Sequence, residues 1–159
     1  MTVFSYLRAM HEGDLNWVLD VEQQAYDFPW SKKGFENSLD QGLNYVFCDA
    51  EGTALGYVCV LTVLDEAHIL NLCVAPKYQK QGVARMALHS LQSKLKESGF
   101  TLLLLEVRVS NQPAISLYES FGFNRDGVRV NYYRCQEWDE VSGELVEAKE
   151  DAVLMSCTL

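Results

Sequence analysis

The stretch from residue 68 to residue 109 constrains the fold most: "HILNLCVAP", then "KYQKQGVARMALHSLQSKLKESGF", then "TLLLLEVRV". Two apolar runs of strand length flank a segment whose apolar residues recur at helical spacing. Val83, Ala84, Ala87, Leu88, Leu91 and Leu95 share one face of that segment, and Arg85, His89, Gln92 and Lys96 share the other. The helix is expected over about residues 82–97, with Gly99 ending it. A helix with one apolar face docks that face on a sheet, so strand, helix and strand set a mixed α/β arrangement.

The rest of the chain fits around this unit. "TVFSYLRAM" alternates as a first strand, and "GDLNWVLDVEQQAY" places Leu15, Val18, Leu19 and Val21 at helical spacing behind Asp14 as N-cap. Pro29 breaks that helix, and Ser31 caps a second carrying Phe35 and Leu39. "YVFCDAEGTALGYVCVLTVL" reads as a hairpin around Glu51 and Gly52. After the central unit come a helix "QPAISLYESF" stopped by Gly122, a strand "FNRDGVRVNYY" and a tail "DAVLMSCTL" that closes the sheet. The expectation is a single domain over residues 1–159, an α/β (α+β) fold with a mixed central sheet of about seven strands flanked by about four helices.

Composition removes several function classes. The five cysteines are scattered and never spaced C-x-x-C, which argues against structural zinc and a disulfide framework and fits reduced thiols in the cytoplasm. No bound metal is expected. A formal net charge of −9 disfavours direct nucleic-acid binding, which needs a basic footprint. The apolar run from Gly56 to Leu64 is too short to cross a membrane, and the opening "MTVFSYLRAMHEGD" has no basic leader. An acidic surface suits a basic substrate.

Gly82 sits where the first strand of the central unit hands over to its helix. The first turn of a helix leaves backbone N–H groups unsatisfied, and a glycine there lets an anion approach them. Neither G-x-x-x-x-G-K-[ST] nor G-x-G-x-x-G is present, which removes P-loop and dinucleotide sites. The plainer reading, that Gly82 only eases the turn, stays open on this stretch alone.

Gln79-Lys80-Gln81-Gly82-Val83-Ala84 resembles the Q/R-x-x-G-x-G/A signature of the GNAT acetyltransferases. "FPWS" at 28–31, "LDEAHILNLCVAPKYQKQGVA" at 64–84, "LEVRVSNQPAISLYESFGF" at 105–123 and "NYY" at 131–133 are similar to the bacterial branch that acetylates a ribosomal protein on its N-terminal alanine. Ala84 stands where a glycine is common, leaving slightly less room. The resemblance implies acetyl-CoA as cosubstrate, with Gln79, Lys80, Gln81, Gly82, Val83, Ala84 and Arg85 around its pyrophosphate. It implies that Leu72, Cys73 and Val74 pair with the pantetheine arm and offer an N–H to the thioester oxygen, and that Asn111 contacts the cofactor. Read from its position alone, Asn111 is a helix N-cap, and the two roles can coexist.

By the same resemblance Glu106 is the proton acceptor and Tyr118 the proton donor to the leaving thiolate. Read without it, Glu106 is a same-face ion-pair partner of Arg108 and Tyr118 a core aromatic beside Ala114 and Phe121. An α-amine has a pKa near ~8 against ~10.4 for lysine, so an N-terminal acceptor asks little of its base. A rival acyl-cysteine route through Cys73 lacks an adjacent base, and Cys73 reads as a small buried hydrophobe. His11 and His89 read as solvent-facing. The same fold acting on a lysine or small amine, or binding acyl-CoA without catalysis, are the competing functions. Residues 135–151 carry seven acids against the single base Lys149, expected as two short strands around Ser142-Gly143 that hold a basic acceptor or merely aid solubility.

Overall fold

Strand β1 (Tyr6–Ala9) opens the secondary structure of a computed structural model that describes residues 3–159. Thr2, with which the expected first strand began, lies outside the described residues. After β1 come α1 (Leu15–Ala25), α2 (Lys32–Gln41), β2 (Gly42–Cys48), β3 (Ala54–Val63), β4 (Glu66–Val74), α3 (Val83–Glu97), β5 (Leu102–Arg108), α4 (Gln112–Ser120), β6 (Asn124–Asp139) and β7 (Glu144–Thr158). The order of elements is the expected one. The seven strands are hydrogen-bonded in the order β1-β2-β3-β4-β5-β7-β6. The chain gathers into two compact units, one up to Leu104 with Thr158–Leu159, the other Leu105–Cys157.

In the first unit β1 to β4 form an antiparallel meander. Alternation places Val46, Cys48, Tyr57 and Cys59 in one core with Leu15, Val18 and Val21 of α1 and Phe35 of α2. Tyr45, Phe47, Val58 and Val60, equally buried, point to the opposite face. Lys94 of α3 lies 5.4 Å over the Tyr45 ring, and Val83, Ala87, Leu88, Leu91 and Leu95 are the buried stripe of that helix. Ala84 is only half-buried.

Local chemistry explains the boundaries. The Ser31 hydroxyl accepts from the Gly34 N–H at 3.2 Å and caps α2, as expected. The β2–β3 turn is held by Asp49, whose Oδ1 accepts from the N–H groups of Glu51 and Thr53 at 3.0 and 2.9 Å. Asp14 corrects the expectation for α1. Its carboxylate does not cap the helix. Instead it receives both Arg8 Nη atoms at 2.9 Å and the His11 N–H at 2.9 Å. A bidentate guanidinium outcompetes a helix N–H for one carboxylate.

The second unit differs most from the expectation. Its last two strands are long, 16 and 15 residues, and pair from Asn124↔Ser156 to Asp139↔Glu144. Gly143, at φ 72°, donates its N–H to Asp139 O at 2.8 Å and closes the turn. The C-terminal strand does not finish the sheet: β7 lies between β5 and β6, and β6 is the edge. Residues 134–147 form a largely exposed arm of this hairpin.

Candidate active site

The residues expected to hold the cofactor, Asn111 apart, fall in the first unit. β4 carries Leu72, Cys73 and Val74 opposite β3, with Tyr57↔Cys73 and Gly56↔Val74 in register. The register shifts between Asn71 and Ile69, leaving Leu70 as an extra residue that bends β4 just before this segment. Tyr26 donates its hydroxyl to the Leu72 carbonyl at 3.0 Å. Cys73 is 3% exposed, and burial pushes its thiol up to about 11, Tyr57 and Tyr26 opposing weakly. A thiol held protonated is a poor nucleophile, which agrees with direct transfer rather than an acyl-cysteine.

Beneath this strand lies a buried carboxylate that sequence reasoning missed. Glu22 is 1% exposed, and its Oε1 accepts from the Tyr57 hydroxyl at 2.5 Å and from Asn71 Nδ2 at 3.0 Å. Its Oε2 accepts from the Trp30 N–H at 2.9 Å. One side chain of α1 thus ties the "FPWS" connection to both β3 and β4. The available signal was its place four residues after Val18, on the apolar stripe of the helix.

Past β4 the chain turns into α3. Gln79 donates through Nε2 to the Val74 carbonyl at 3.0 Å, and Gln81 to the Lys77 carbonyl at 3.3 Å. Lys80 and Gly82 both take left-handed conformations, at φ 61° and φ 80°. The helix's first internal bond runs from the Met86 N–H to Gly82 O at 3.1 Å, so the amides of Gly82, Val83, Ala84 and Arg85 precede its ladder. A Cβ on Gly82 would meet only the Met86 methyl, at 3.9 Å. The glycine is therefore required by its backbone angle and not by packing, and the space before the helix mouth stays open. That arrangement suits a phosphate group.

The residues expected to move protons fall in the second unit. β5 alternates strictly, burying Leu103, Leu105 and Val107 and leaving Leu104, Glu106 and Arg108 half-buried on the other face. The Glu106 side chain is 12% exposed, and its Oε1 stands 3.2 Å from Arg129 Nη2. Arg108 is not its partner. That guanidinium donates to the Arg134 carbonyl at 2.7 Å, lies 3.9 Å from Glu150 and stacks 4.5 Å over the Tyr133 ring. The Glu106 carboxylate, and after it burial, holds the Tyr132 phenol above the usual range. Tyr133 is also raised, first by burial.

Tyr118 lies with Ile115 on the buried face of α4, its ring 5.5 Å from that of Phe123. Burial pushes its hydroxyl up to about 12, so it carries its proton at neutral pH. Its carbonyl accepts from the N–H groups of Phe121 and Phe123, which fixes the end of the helix. Asn111 caps α4: its Oδ1 accepts from the Ala114 N–H at 3.2 Å. Arg129 was not singled out from the sequence, and Tyr132 and Tyr133 stood only in the quoted "NYY", with no role given to them. Regular alternation would turn Arg129 and Tyr132 to opposite faces, so nothing in the sequence signals that they meet.

Among the described residues no group of three or more His, Cys, Asp and Glu is placed to hold a metal ion. No described helix is long and apolar enough to cross a membrane.

Comparison with known proteins shows the family of the chain. The Acetyltransferase (GNAT) family pattern matches residues 8–123. The [ribosomal protein bS18]-alanine N-acetyltransferase of Escherichia coli strain K12 is 37% identical over 151 residues, covering 94% of this chain and 95% of the relative. The protein of that name from Haemophilus influenzae is 37% identical over 159 residues, with both chains fully covered. The crystal structure of the Escherichia coli ribosomal-protein-S18-alanine N-acetyltransferase superposes with a TM-score of 0.83 at 35% identity, covering 96% of this chain and 92% of that one. A family match over most of the chain, with full-length relatives of one activity, means that this chain belongs to the GNAT family of acetyltransferases.

Proposed function

We propose that this protein, acting as one cytoplasmic domain, transfers the acetyl group of acetyl-CoA to the N-terminal α-amine of a small-subunit ribosomal protein. The acceptor residue is the alanine that begins bS18. The observation that carries the reading is the full-length likeness to enzymes of that activity. The open, glycine-led mouth of α3 and the half-buried Glu106 supply chemistry that fits it.

In this reading the amides from Lys80 to Arg85 receive the pyrophosphate, with Gln79 bracing the turn through Val74. Leu72, Cys73 and Val74 pair with the pantetheine arm and offer an N–H to the thioester oxygen as charge gathers there. Asn111 adds a polar contact through its side-chain amide while its Oδ1 caps α4. The acceptor nitrogen attacks the thioester carbon, Glu106 takes a proton from it, and the carbon–sulfur bond breaks. Tyr118 gives a proton to the sulfur. A phenol at about 12 is a weaker acid than a thiol near ~8.5, so the Tyr118 O–H first stabilises the leaving sulfur by hydrogen bonding, and water restores the proton that the phenol gives up. The products are the N-acetylated chain and CoA.

The long arm of β6 and β7 belongs to the same reading. Residues 135–151 contribute −6 of the net −9, and Trp138 pairs across the strands with Leu145, both more than half exposed. A basic segment following the acceptor alanine would find complementary charge there. Changing Glu137, Asp139, Glu140 and Glu144 to their amides should raise KM for a basic alanine-initiated peptide about 3- to 10-fold and leave kcat unchanged. Added salt should weaken the wild type more than the variant. Equal KM values and equal salt responses would reduce the arm to a solvated loop. The same assay tests the acceptor: formylating the peptide's α-amine should abolish product, and continued turnover would point to a lysine acceptor.

A further inference from the structure

Glu106 is met from β6 by Arg129, whose guanidinium lies over the Tyr132 ring, a pairing that a regular strand could not deliver. Arg129 and Tyr132 are three residues apart, so plain alternation turns them to opposite faces. The pairing with β7 is broken between Arg129↔Ala152 and Tyr133↔Glu150. Within that break Asn131 takes φ 50°, and its N–H is held by Asp151 Oδ1 at 2.9 Å. A bulge of this kind re-aims side chains. Here Arg129 comes to lie 5.0 Å over the Tyr132 ring with Nη2 3.2 Å from Glu106 Oε1. Arg108, though on the same face of β5, is committed to Tyr133, Arg134 and Glu150.

We propose that Arg129 is a positioning residue for acetyl transfer, fixing the direction of the Glu106 carboxylate and balancing its charge while Glu106 takes the acceptor's proton. The inference rests on Glu106 being that acceptor. An uncompensated carboxylate beside an arriving amine favours the ammonium form, which cannot attack. A guanidinium paired with the carboxylate removes that bias, and one such donor does not disable a group with about four lone-pair sites. Arg129 is itself 54% exposed, so replacing it opens no core.

The test is a double-mutant cycle on kcat. Arg129→Gln should lower kcat about 5-fold with KM for acetyl-CoA unchanged, and Arg129→Lys, which keeps the charge, should regain most of that loss. In a Glu106→Gln background Arg129→Gln should cost nothing further, because its effect passes through the carboxylate. Unchanged kcat in Arg129→Gln, no recovery in Arg129→Lys, or equal losses in both backgrounds would each overturn the proposal. Full activity of Glu106→Gln by itself would overturn it differently, by removing the base on which it rests.

Discussion

Glu106→Gln should lower kcat by about 10²-fold at pH 7, the usual range for a lost general base, and leave acetyl-CoA affinity intact. The amide keeps the size of the side chain but cannot accept the amine's proton. The deficit should shrink between pH 7 and pH 9, because an α-amine of pKa near ~8 sheds its proton to water over that range. The recovery should level off near pH 9, whereas a lysine acceptor, near ~10.4, would go on gaining beyond it. The Arg129 pair is 54% exposed on the arginine side, so its loss should shift the melting temperature little. A variant with full kcat would leave Glu106 as a structural ion-pair residue and move the search for a base elsewhere.

Gly82→Val should weaken acetyl-CoA binding at least ~10-fold, which is about 1.4 kcal/mol. Two effects act together. A β-branched residue is strained at φ 80°, and its side chain enters the open space before the α3 amides. The nearest neighbour of the new Cβ is the flexible end of Met86, so the fold should survive. Calorimetry on the folded variant reads the affinity directly. Unchanged affinity with an intact melt would mean that the helix mouth is not where the anion sits.

The ordering of elements was legible because each signal was local. Ser31 before a helix, Glu51-Gly52 between alternating runs and Gly82 before an amphipathic stripe each act on near neighbours. What failed was decided by groups distant in sequence. Asp14 looks like an N-cap until Arg8 takes both of its oxygens. Arg108 looks like the partner of Glu106 until Tyr133 and Glu150 draw it away, and the bulge at Asn131 supplies Arg129 instead. The arm of β6 and β7 was read as short strands because its acidic residues interrupt the alternation that marks a half-buried strand. Nothing local says that the last strand inserts between two others. Glu22 was passed over for the same reason, since its three partners come from 8, 35 and 49 residues away.

The central claim is the identity of the acceptor atom. Whole, unacetylated bS18 incubated with acetyl-CoA and this protein should gain one acetyl group, and tandem mass spectrometry should place it on the α-amine of the first alanine. An acetyl group on a lysine side chain, or none at all from a protein that binds acetyl-CoA, would contradict the account.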